Sequence, residues 1–185
     1  DFDAQVARTR DRPLPAGEVT VRQAMIWFAM QLAISAAILF SFNSFAIWTG
    51  LASLSLVALY PLAKRVTFWP QFVLGLAFNW GVLLGWAAVT ADVNCPAFVL
   101  YAGGIFWTLG YDTIYAHQDR PDDTAAGVKS SARALGLLAS KPWLVAFYLI
   151  AVALFGIAGF GAGLGWVFWV GLAAGTVQLV WQVMD

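Results

Sequence analysis

Cysteine and histidine are almost missing from this sequence, and both scarcities narrow what it can do. Cys95 is the only cysteine, so neither a disulfide framework nor a thiolate metal cluster can form within the chain. With His117 as the only histidine, there is no metal-binding His/Cys set, and neither a Ser/His/Asp arrangement nor a Gly-rich Walker loop is found. Charge is equally sparse. Charged residues make up 11% of the chain, and ten Lys+Arg balance ten Asp+Glu, which leaves no bulk electrostatic case for nucleic acid or an acidic partner. No segment alternates with period two, so a membrane β-barrel is excluded. An initiator Met and a signal-peptide pattern are also lacking before Asp1, and the chain is expected to be part of something longer.

What is present in excess is apolar surface. Apolar residues account for 61% of the sequence and mean hydropathy is +0.75, far from the balance of a soluble domain. An all-α integral membrane protein is expected, since helices satisfy their own backbone in lipid. Crossing the hydrocarbon layer takes about 20 residues. Six stretches come close, at roughly 22–41, 45–63, 70–89, 97–118, 142–160 and 165–184, and they form a single transmembrane domain over 1–185. If the chain crosses at each one, Arg8, Arg10, Arg12, Arg22, Lys64, Arg65, Arg120, Lys129, Arg133 and Lys141 all fall on one side. That is the cytoplasmic face or its equivalent, and Asp92 is the only charge opposite. A wrong helix count would have scattered these bases. The pairs Gly81 and Gly85, Gly159 and Gly163, and Gly171 and Gly175 have the spacing of close helix packing. Trp48, Trp69, Trp86, Trp143 and Trp166 fall near the expected interfaces, whereas Trp80 and Trp107 lie deeper, where packing or the wall of a lipid tunnel would use them.

Two loops on the basic side carry chemistry. The stretch "YDTIYAHQDRPDD", Tyr111 to Asp123, sets four carboxylates where an apolar helix runs into a loop. Asp112 and Asp119 lie about 20° apart around a helix, and Asp123 adds about 20° on the other side if the helix continues. Pro121 disfavours helix at the residue before it, in which case Asp119 and Asp123 meet across a turn. An acid inside a span costs roughly 2.5–3.5 kcal/mol at the bilayer centre and needs an arginine or a metal. Mg²⁺, a hard cation, takes carboxylates, waters and substrate phosphates as ligands. Asp122 also fits a solvated loop. His117, about 140° around from Asp112, is expected to be structural or interfacial.

The other loop, "DFDAQVARTRDRPLPAG", sets Asp1 and Asp3 before Arg8, Arg10 and Arg12, with Pro13 and Pro15 forcing an extended path. Acids followed by bases recur from Asp119 to Lys141, and Asp-Arg-Pro occurs in both loops. Orientation bias explains most of the arginines, but not acids and bases packed together twice. A metal-bound polyphosphate needs both: carboxylates for the cations, guanidinium and ammonium groups for the remaining oxygens. Lys64 and Arg65, in "YPLAKRVTFWP", add a third basic site that either reflects orientation or reaches an anionic substrate group.

On these stretches the chain resembles the UbiA superfamily of membrane prenyltransferases, and within it the branch that prenylates 4-hydroxybenzoate in ubiquinone biosynthesis. "YDTIYAHQDRPDDTAAGVKSSA" looks like the second Asp-rich motif, "DFDAQVARTRDRPLPAG" like the tail of the first, and "YPLAKRVTFWPQ" like the intervening loop. The resemblance implies a nine-helix fold with six spans in this chain; two N-terminal helices and the last helix lie outside it. The usual first motif is N-D-x-x-D-x-x-x-D, and Asp3 matches its final Asp. By the same resemblance Asp3, Asp119 and Asp123 bind metal, and Asp112 is the catalytic acid near the aromatic acceptor. Arg8, Arg12 and Lys129 face the diphosphate, and Lys64 and Arg65 meet the diphosphate or the acceptor's carboxylate. The implied reaction is Mg²⁺-dependent transfer from a polyprenyl diphosphate to 4-hydroxybenzoate at a bilayer, the bacterial cytoplasmic membrane or, alternatively, the mitochondrial inner membrane. A cation-coupled transporter is the answer from a different class. It would place its acids near the midplane, often in broken helices and inverted repeats, whereas here they crowd one face among arginines. A relative acting on haem or naphthoate is the third reading.

Overall fold

The structure, a computed structural model, describes residues 10–118, 120, 124, 127 and 129–184, with the backbone alone for Lys64 and Leu137. Among the described residues there are seven principal helices and no strand. The chain divides into two compact units, Asp1–Asn43 and Ser44–Asp185.

The first unit is built on helix α1, Val21–Phe40. Thr20 caps it: the Gln23 amide donates to the Thr20 hydroxyl at 3.3 Å, and the Thr20 amide donates to Gln23 Oε1 at 2.9 Å. No residue of α1 is buried within the unit. Apolar side chains all round a helix suit a bilayer, which solvates every face alike.

The second unit contains α2 (Ser44–Val66), α3 (Pro70–Phe78), α4 (Trp80–Thr90), α5 (Cys95–Gln118), α6 (Ser131–Gly161) and α7 (Trp166–Met184). The helix α5 packs on α3, α4 and α6; α2 lies on α3 and α4, and α7 on α6. Among the described residues, five helical segments are long and apolar enough to cross a membrane: Val21–Phe40, Ser44–Ala63, Pro70–Thr90, Leu138–Gly161 and Trp166–Met184. The expected span at 97–118 forms a 24-residue helix but is not among these five. Three glycines, two threonines and Asp112 dilute its hydropathy, and it can tolerate them because protein rather than lipid surrounds much of it. Ile105, Leu109 and Phe147 form the core it shares with α6, covered by Trp69, Leu76, Tyr101 and Phe106.

The span expected at 70–89 is present as Pro70–Thr90, interrupted at Asn79 between α3 and α4. Two expectations from the sequence need correction. The residues 131–141, expected in a loop, are helical, with a break at Gly136 (φ 71°, ψ 172°) in a backbone region only glycine visits readily. Close packing is also not where the glycine spacing put it. A Cβ on Gly81, Gly85, Gly171 or Gly175 would have no neighbour within 4 Å, and only Gly159 of the six packs closely, against the Phe168 ring. The tight contacts belong to α5: Gly103 receives Phe155, Gly104 receives Asn79 and Gly110 receives Tyr148.

Candidate active site

Asp112 sits in the next-to-last turn of α5, half-buried and already partnered. Two tyrosines lie within its electrostatic reach, Tyr60 from α2 and its chain neighbour Tyr111. The Tyr111 ring lies 4.9 Å from that of Trp107. Thr108 is fully buried. Its hydroxyl accepts from Asn79 Nδ2 at 2.8 Å, while the same amide donates to the Gly75 carbonyl at 2.9 Å. A buried hydrogen bond thus joins the break between α3 and α4 to α5 at Thr108, one turn before Asp112. Ionisable and amide groups this deep in a helical bundle mark functional sites by default.

Beyond Asp112 the ends of the acidic connection are held. Thr113 and Ser131, both fully buried, share a hydroxyl hydrogen bond of 2.7 Å. The Ser131 amide donates to Gln71 Oε1 at 3.2 Å. Lys129 Nζ donates to the Val66 carbonyl at 3.1 Å and lies 5.3 Å from the centre of the Phe68 ring. Lys141 Nζ reaches the Met184 carbonyl at 3.4 Å. The Lys129 contact thus brings the chain just before α6 to the end of α2, beside Arg65. An open apolar cleft lined by Thr67, Trp69, Phe72, Leu109, Trp143 and Phe147 lies between α3, α5 and α6, reaching α5 one turn before Asp112.

Of the residues singled out in the sequence, the structure brings Lys129 to the loop that follows Lys64 and Arg65. Arg65 is exposed. Arg12 belongs to the first unit. Asp3, Arg8, Asp119 and Asp123 lie outside the described residues, as does the side chain of Lys64. His117 turns away from Asp112, as expected: its Nε2 pairs with the Ser140 hydroxyl at 2.7 Å, and that hydroxyl donates to the Gly136 carbonyl at 2.6 Å. Trp80 is a packing residue, donating to the Thr49 carbonyl at 2.8 Å and meeting Tyr101 edge-on. Tyr60 was not read as a site residue, although it stands four positions before Lys64 and so shares its helix face.

A family model described as the UbiA prenyltransferase family matches residues 1–185. The chain belongs to the UbiA prenyltransferase family. It is 50% identical over 184 residues to the mitochondrial 4-hydroxybenzoate polyprenyltransferase of Caenorhabditis elegans, covering 99% of this chain and 51% of that protein. Identity is 44% to the enzyme of the same name from Rattus norvegicus (99% and 49%). It is 42% to 4-hydroxybenzoate geranyltransferase 2 of Lithospermum erythrorhizon (99% and 60%). The apo structure of a UbiA homolog from Aeropyrum pernix K1 superposes with a TM-score of 0.86 at 28% identity, over 100% of this chain and 70% of that one. The chain thus spans about half the length of the curated mitochondrial relatives.

Members of such a family raise the question of a divalent metal. Among the described residues no three His, Cys, Asp or Glu side chains form a metal cluster. The donor present at this end of α5 is the Asp112 carboxylate, and carboxylate oxygen suits a hard cation such as Mg²⁺ rather than zinc or copper. The chemistry of that donor fits such an ion.

Proposed function

We propose that this protein transfers a polyprenyl group from an allylic polyprenyl diphosphate to the ring carbon ortho to the hydroxyl of 4-hydroxybenzoate, a step of ubiquinone biosynthesis. The observation that carries the reading is the half-buried Asp112, grouped with Tyr60 and Tyr111 where the acidic connection leaves an apolar bundle. The activities for which the relatives are named support it.

In the reaction the bond between the allylic carbon and diphosphate oxygen breaks, and its electron pair leaves with the diphosphate. The ring carbon forms the new carbon–carbon bond and then loses its proton. Asp3, Asp119 and Asp123 would hold Mg²⁺, which when bound would supply positive charge against the departing diphosphate. Arg8, Arg12 and Lys129 face the remaining phosphate oxygens. Lys64 and Arg65 meet the diphosphate or the acceptor's carboxylate; the Lys129 bond to the carbonyl next to Arg65 gathers cations at that end. Asp112 orients the phenol hydroxyl or accepts the proton, and Tyr60 and Tyr111 hold the ring's polar edge against it. Apolar walls keep water from the allylic cation. The helices lie in a bacterial cytoplasmic or mitochondrial inner membrane with the site on the basic face, and no nucleic acid takes part.

In the full-length protein, Asp119→Asn and Asp123→Asn are expected to lower Mg²⁺-dependent transfer of a radiolabelled prenyl group to 4-hydroxybenzoate by on the order of 10²-fold or more. Undiminished transfer would refute the assignment. Ion flux in proteoliposomes without prenyl substrate would instead favour a transporter.

A further inference from the structure

We infer that the groove between α6 and α7 holds one acyl chain of an anionic phospholipid, whose phosphate is bound by Lys141. None of the residues involved belongs to the proposed catalytic machinery, so the site stands apart from the prenyl-transfer reading.

The groove runs along one stripe of each helix. Val145, Leu149 and Val152 line it from α6, and Thr176, Val180 and Val183 from α7, both sets at the i, i+4, i+7 spacing that keeps residues on one helix face. Its floor is core: Leu144, Tyr148 and Val183 are buried together, with Ile114 and Leu179 packed against them. Its rim faces outward, Leu149 being 59% exposed and Val180 51%. The Thr176 hydroxyl donates to the Leu172 carbonyl of its own helix at 2.7 Å, so it makes no polar demand on the groove. Apolar cavities of this kind stay dry and take up hydrocarbon.

Length and charge select the occupant. Lys141 stands four positions before Val145 and so continues the α6 stripe. Its Nζ reaches the Met184 carbonyl at 3.4 Å, and Met184 lines the groove. Helical rise from Lys141 to Val152 is about 16 Å, roughly half of the hydrocarbon layer. The groove therefore spans one leaflet, the depth of a single acyl chain, and Lys141 stands at headgroup level with the exposed Trp143 and Trp181. A long contact to a carbonyl occupies at most one of the ammonium donors and neutralises no charge. Among the described residues no carboxylate pairs with Lys141. A phosphate supplies both acceptors and charge, and basic sites between transmembrane helices on this face suit anionic headgroups. Another apolar helix laid in the groove would cover the same walls but leave the ammonium without a counter-ion.

The test is photo-crosslinking of the full-length protein in phosphatidylcholine vesicles, with a diazirine on one acyl chain of either phosphatidylglycerol or phosphatidylcholine as the probe. Mass spectrometry maps the labelled peptides. Label is expected within 145–152 and 176–183, with phosphatidylglycerol exceeding phosphatidylcholine about fivefold, the factor that one lysine near an anionic lipid surface confers. Lys141→Gln should remove that excess and Lys141→Arg keep it. Val180→Phe, which fills the groove from its exposed rim, should lower labelling by both lipids severalfold; thermal unfolding checks that it folds, and Val145→Phe replaces it if it does not. Equal labelling by the two lipids, or an excess that survives Lys141→Gln, overturns the headgroup assignment. Loss of the excess on adding inorganic phosphate would show a free-anion site and overturn it as well. Labelling that is absent from both stretches, or unchanged by Val180→Phe, would show that another segment covers the groove or that no chain enters it, and the acyl-chain site falls.

Discussion

Gly104 and Asn79 form a pair whose coupling can be calculated and measured. A Cβ on Gly104 would lie 2.7 Å from Asn79 Cγ, inside contact distance, and 3.2 Å from Asn79 Cβ. The amide cannot swing clear, because its Nδ2 is held by both the Gly75 carbonyl and the Thr108 hydroxyl. Overpacking of this kind costs about 1–3 kcal/mol, and replacing a helical glycine by alanine returns about 0.5–1 kcal/mol. Gly104→Ala should therefore destabilise by about 1–2 kcal/mol. Asn79→Ala gives up two hydrogen bonds worth about 0.6 kcal/mol each between membrane helices, close to 1 kcal/mol in all. In that background the obstructing amide is gone and only the 3.2 Å Cβ contact remains, which a small shift relieves. Gly104→Ala should then be neutral or stabilising, a coupling of about 2 kcal/mol. Unfolding of the four proteins of the cycle in mixed micelles with increasing SDS reads it directly. An equal penalty for Gly104→Ala in both backgrounds would show that the amide is not the obstacle.

Three further outcomes follow from the same geometry. Gly136→Ala should destabilise by about 1–3 kcal/mol, because φ 71° with ψ 172° is a conformation essentially reserved for glycine; thermal unfolding that does not change would contradict the break in α6. Tyr60→Phe removes a hydroxyl within electrostatic reach of Asp112 and should lower kcat for prenyl transfer about tenfold or more with little change in unfolding temperature, so an unaltered rate would remove Tyr60 from the site. Tyr148→Phe should change stability by less than about 0.5 kcal/mol, since its bond to Gln182 is 3.4 Å long, whereas Gly110→Ala, which drives a methyl into the Tyr148 ring, should cost about 1–3 kcal/mol; comparable losses in the two would refute the ring-against-glycine packing.

Some of the site could be read directly from the residues. Asp112 was identified because a carboxylate inside an apolar run is costly wherever the run goes, and His117 was placed away from it by helical period alone. Lys129 was picked out as a cation near the acids, yet its contact with the Val66 carbonyl joins residues 63 positions apart, a separation no local pattern encodes. Tyr60 was missed for the same reason: one tyrosine near the end of an apolar span looks like an interfacial aromatic until another helix brings Asp112 to it. The glycine spacings misled because small-xxx-small runs permit close approach without selecting a partner.

Hydropathy, helical period and the distribution of bases are properties of neighbouring residues, and from them alone came the helical membrane class, most of the spans and the acidic segment at the end of one helix. The rest depended on which helices lie together. The break at Asn79 persists because Thr108, 29 positions away, accepts its amide; the three α5 glycines matter because Phe155, Asn79 and Tyr148 come to them; and Ser131 meets both Thr113 and Gln71. Transfer into lipid is decided residue by residue, whereas a buried hydrogen bond needs two partners at one point, and only the folded bundle supplies the second.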